Sequence, residues 1–148
     1  MQTKLLLIGT VLFIFSCAST KQVSKGAYAA QILRDDNTFL ITEMATDKTY
    51  GLSPKNPVQV GGVKDSEGPK NERRFLNALA GPNGEAISYF RSGSCCAIKS
   101  DNDPFGLGSV MLDNYKVTWE NAKDTISIYI NMYDSGKLQA PVGFTIKK

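Results

Sequence analysis

Two adjacent cysteines, Cys95 and Cys96, are the residues of this chain best suited to chemistry, and they follow directly on Arg91-Ser92-Gly93-Ser94. Neighbouring thiols can join in a small ring. The peptide between them holds their Cα atoms about 3.8 Å apart, below the ordinary disulfide range, so such a bond is strained and comparatively easy to reduce. It would stiffen a loop at a binding site or act as a redox switch. Two other arrangements stay open: reduced side chains on opposite faces of a strand, or one sulfur cross-linked to a partner. No Cys-x-x-Cys spacing is present to activate a thiolate, which weakens the redox reading.

A second group is cationic. Lys70, Arg73 and Arg74 cluster near an expected helix start and Arg91 lies on the expected strand before the cysteines, which makes the four candidates for anion binding. Arg91 could also lower a nearby thiol pKa. The spacing of the first three equally suits a solvated face whose aliphatic stems cover apolar surface. Three acids and amides in Ser100-Asp101-Asn102-Asp103-Pro104-Phe105-Gly106-Leu107-Gly108 invite a calcium reading, but the run lacks EF-hand spacing and its closing glutamate. No metal ligand set and no cofactor motif is expected.

The 148 residues contain no histidine. Ser-His-Asp and Cys-His nucleophilic pairs, histidine general bases and histidine metal ligands are thereby excluded together. With no other catalytic constellation in view, the expectation is a protein that is not an enzyme. The formal charge is +3 and the basic residues are dispersed, so the electrostatic footprint of a nucleic-acid binder is missing.

The elements that must position these groups are mostly strands. Ala30–Leu33 and Phe39–Thr42 flank the turn-like Asp35-Asp36-Asn37, and Val58-Gln59-Val60 alternates before Gly61-Gly62. Pro69 to Ala80 is the one convincing helix: Pro69 suits its first turn, Phe75, Leu76 and Leu79 share a face, and Gly81-Pro82 ends it. A turn at Pro82-Asn83-Gly84 leads into a strand over Ile87–Arg91. Tyr115, Val117 and Trp119 share a face of one later strand; Ile126, Ile128, Ile130 and Met132 share a face of the next. Those two should form an antiparallel hairpin carrying much of the core. Phe144-Thr145-Ile146 offers a last short strand. The expected fold is α+β: a mainly antiparallel sheet with one principal helix packed on it.

At the N-terminus, Leu5 to Phe15 is an apolar run too short to span a bilayer comfortably, and Ile14-Phe15-Ser16-Cys17 follows. It resembles a bacterial lipobox, with Phe15 fitting the looser Bacteroidetes pattern. The organisation expected from this is a signal peptide over 1–16, a lipidated Cys17 with a flexible tether over 17–27, and a single domain over 28–148. Acidic residues do not follow Cys17, which favours the periplasmic face of the outer membrane. Membrane contact through the lipid and contacts with envelope proteins or glycans are the expected partnerships.

Ala45-Thr46-Asp47-Lys48-Thr49-Tyr50-Gly51, Asn71-Glu72-Arg73-Arg74-Phe75-Leu76-Asn77-Ala78-Leu79, Gly81-Pro82-Asn83-Gly84, Arg91-x-Gly93-Ser94-Cys95-Cys96 and Tyr129-Ile130-Asn131-Met132-Tyr133 together resemble a group of small Bacteroidetes, chiefly flavobacterial, lipoproteins of uncharacterised function. Some similar sequences carry the label 2-dehydro-3-deoxyphosphooctonate aldolase. That enzyme is a (β/α)₈ barrel of typically about 250 residues working on a cytoplasmic substrate. One helix, no alternating βα units and an export signal do not fit it. The expected role is a binding or structural module of the cell envelope, with a thiol/disulfide-responsive protein using Cys95 and Cys96 as the alternative.

Overall fold

A computed structural model of the chain describes residues 31–148. The expected signal peptide, Cys17 and the tether lie outside the described residues. In chain order the elements are β1 (Leu33–Asp35), β2 (Thr38–Phe39), β3 (Val58–Gln59), a 3₁₀ turn (Val63–Asp65), α1 (Gly68–Asn77), β4 (Leu79–Ala80), β5 (Ile87–Lys99), β6 (Ser109–Trp119), β7 (Ile126–Asn131) and β8 (Thr145–Ile146). The fold is α+β, as the sequence predicts.

The main sheet has the order β3-β7-β6-β5. β5, β6 and β7 form an antiparallel meander, and β3 joins the edge of β7 in parallel, with Val58 opposite Ile130. Two small antiparallel pairs flank it: β1 with β2, and β4 with β8. Alternation along β7 buries Ile128 and Ile130, and β6 buries Tyr115 and Val117 on the corresponding face. α1 contributes Phe75 and Leu76 to the same core, where Val58, Val60, Leu79 and Phe144 meet them. Each such side chain stabilises the fold by about 1.5–3 kcal/mol through removal from water.

The helix is shorter than its sequence predicts. It ends at Asn77, and Leu79–Ala80 turn out of it to pair with Thr145–Ile146. The apolar face survives the change, since Leu79 is buried from the strand rather than from the helix. Helix entry is set by Gly61 and Gly62, whose φ values of 61° and 101° favour glycine. They turn the chain off β3, and the Glu67 amide donates back to the Gly62 carbonyl at 2.8 Å.

β5 also departs from expectation. Its ladder continues past Arg91 through both cysteines to Lys99, held by a regular β6 partner. Two bulges interrupt it. Ser92 is the extra residue between Arg91 and Gly93, and Cys96 the extra residue between Cys95 and Ala97.

Candidate functional site

The first bulge has a direct consequence for side-chain direction. In an unbroken strand Arg91 and Ser94 would point to opposite faces; the extra residue puts both on the face carrying Asp113 and Tyr115 of β6. Arg91 then grips the Asp113 carboxylate with Nε at 2.6 Å and Nη2 at 2.7 Å, and the Ser94 hydroxyl donates to the same carboxylate at 2.9 Å. Asp113 is 5 % exposed, so this is a buried acid paid out in charge-assisted bonds to a half-exposed guanidinium.

From the other side α1 delivers Glu72. It stands one turn before Phe75 and Leu76 on the helix's buried face and is fully buried. The Tyr115 hydroxyl donates to its Oε2 at 2.9 Å, while Oε1 is buried with no donor. Burial first, and then the Asp113 carboxylate beside it, push the Glu72 pKa up to about 8. A carboxyl that keeps its proton needs no donor at that oxygen, and the negative charge of Asp113 nearby favours the protonated form. Burial, and next the Glu72 charge, raise Tyr115 as well. The Tyr89 hydroxyl donates to Asn77 of α1 at 2.7 Å, and the Tyr89 and Tyr115 rings meet edge to face at 6.1 Å.

These groups form the floor of a cleft of about 440 Å³ between the first turns of α1 and the β5–β6 face. Pro69 and Arg73 line the helix side, Tyr89 and Phe90 the sheet side, and Met132 lies just beyond β7. The volume is that of a site for one small molecule, apolar with a few polar groups.

The four cations singled out in the sequence separate here. Arg73 and Arg91 line the cleft. Lys70 lies 3.5 Å from Glu67. Arg74 is buried rather than solvated: it pairs with Glu67, donates to Asn71 Oδ1 at 2.8 Å and ties α1 to the Asp36 carbonyl at 2.8 Å. Cys95 and Cys96 are joined as a disulfide, with Cα atoms 3.7 Å apart. Cys95 stands opposite Leu112, hence on the sheet face away from the cleft, and Cys96 takes a φ of 59° in the second bulge.

In the polar loop, Asp103 accepts from the amides of Phe105, Leu107 and Gly108. Ser100 and Asn102 both donate to Asp134, each at 2.8 Å, which fastens the loop to the end of β7. Among the described residues no group of three or more His, Cys, Asp and Glu side chains is gathered as a metal site would require, and no helix is long and apolar enough to cross a membrane.

Glu72, Asp113, Tyr115, Tyr89 and Met132 were not singled out as site residues by sequence reasoning. For Glu72 a signal existed: residues 72, 75, 76 and 79 recur at helical spacing, so the glutamate belongs to the apolar stripe. Comparisons with protein-family models, curated proteins and solved structures find no match.

Proposed function

We propose that this protein is a lipoprotein anchored through Cys17 to the periplasmic face of the outer membrane, where it serves as a non-catalytic binding module of the envelope through the α1–β5–β6 cleft. The single observation that carries the binding reading is the cleft itself, an open and largely apolar site floored by the Glu72, Tyr115, Asp113 and Arg91 cluster. Catalysis is not part of the proposal. The Glu72 carboxyl is fully buried, and burial with the Asp113 charge beside it holds its proton in place near neutrality. The lipid anchor is supported by the apolar run and Cys17, and periplasmic placement by the polar, acid-free residues after it.

Blocking lipoprotein signal processing should leave a full-length precursor, and protease added to intact cells should spare the mature protein. A soluble product lacking lipid would overturn the anchor. For the cleft, Met132→Trp should fill the site, and small molecules extracted from the envelope should raise the melting temperature of the native chain only. An equal rise in both proteins would remove the cleft from the reading.

A second reading is favoured by one observation, the closed Cys95–Cys96 bond at an exposed bulge. We propose it as the alternative: a thiol/disulfide-responsive protein. Alkylation before and after mild dithiol treatment tests it, and two sulfurs inert under both conditions would exclude it.

A further inference from the structure

The cleft contains two carboxyl and two guanidinium side chains, Glu72, Asp113, Arg73 and Arg91, whose charges do not cancel. Asp113 is matched by Arg91 through two short hydrogen bonds. Glu72, buried against Asp113 with one oxygen lacking any donor, contributes no charge near neutrality. Arg73 remains. It is exposed at the helix rim and has no ion-pair partner among the described residues. Its charge reaches across the cleft, since it lowers the pKa of both Tyr89 and Tyr115 against the effect of their burial.

We propose that the cleft takes a small amphipathic carboxylate, with its head on the Arg73 guanidinium and its apolar body over Pro69, Tyr89 and Met132. This rests on the reading of the cleft as the protein's binding site. A planar carboxylate matches the paired N–H groups of one guanidinium and its single charge is balanced by Arg73, whereas a phosphate, with a charge of about −1.5 to −2, would bring more charge than that one unpaired cation offsets. The helix start offers little to a larger anion, because Pro69 in its first turn has no N–H. The remaining wall is aromatic and aliphatic, suited to an apolar body. A cationic ligand would meet Arg73 with no free carboxylate to offset it.

The test uses the full chain in lipid nanodiscs with carbon-labelled methionine methyl groups, so that the Met132 resonance reports on the cleft. Phenylpropionate, phenylpropanol and phenylpropylammonium share one apolar body and differ in head charge. Phenylpropionate should shift Met132 saturably, Arg73→Gln should weaken it about tenfold or more, and the alcohol and amine should bind at least about tenfold more weakly. If the alcohol or the amine binds as tightly, or Arg73→Gln changes nothing, the carboxylate proposal is overturned while the binding reading stands. If none of the three moves Met132, both fall.

Discussion

Glu72 carries a proton at neutral pH because burial, and next the Asp113 charge, outweigh what Tyr115 and Arg91 do for its ionised form, and that has a measurable sign. In the unfolded chain the group titrates near its ordinary value of 4.5; in the fold it does so near 8. Between those values the folded state binds more protons, so the glutamate lowers stability as pH rises from 4.5 to 8, by up to about 1.4 kcal/mol per pH unit. Above 8 the loss is complete. Exposed acids such as Asp35 and Asp47 are lowered by their own hydrogen bonds and act in the opposite sense below that window. Urea denaturation at about pH 5, 6.5 and 8 should show the decline in the native protein. Glu72→Gln can accept from Tyr115 and donate toward Asp113 without a charge, so its profile should be flat and it should exceed the native stability at the alkaline end. Tyr115→Phe should cost about 1–3 kcal/mol, read from the same curves, by leaving the buried Oε2 without its donor.

At the scale of elements, the turn feeding α1 is the most constrained. Gly62 has a φ of 101°, and a Cβ there would collide with Asn71, whose Nδ2 donates to the Val60 and Gly61 carbonyls at 3.3 Å. Gly62→Ala should therefore cost about 1–3 kcal/mol by thermal or urea unfolding. The hairpin β6–β7 and the apolar face of Phe75, Leu76 and Leu79 were legible in the sequence because both are local and periodic. β4 was not: Leu79 and Ala80 fit a helical stripe, and only the distant Thr145–Ile146 draws them into a strand. The length of β5 was hidden because Ser92-Gly93-Ser94-Cys95-Cys96 has no apolar alternation of its own, its pairing being supplied by β6. Of the site, Arg73 and Arg91 could be suspected from charge. Their partners could not, since Asp113 reaches Arg91 only after a bulge no spacing rule announces.

For the molecule as a whole, the core and the disulfide should differ sharply in weight. Phe75 is fully enclosed among residues from helix and sheet, and Phe75→Ala should cost about 3–5 kcal/mol. The disulfide links adjacent residues and closes almost no chain loop, so its effect on the unfolded state is small. Reduction, verified by alkylation of both thiols, should move the urea midpoint far less than Phe75→Ala does.

The parallel pairing of β3 with β7 bears on how the protein acquires its function. The β5–β6–β7 meander is built from neighbouring segments and can form early, whereas β3 and α1 are fixed to it through contacts distant in sequence, Val58 opposite Ile130 and Glu72 beneath Tyr115, whose loop closure is slow. The cleft lies between these two parts. Its walls meet only when the slow step is complete, so an intermediate holding the meander alone would have no binding site, and ligand capture would mark the arrival of the finished fold.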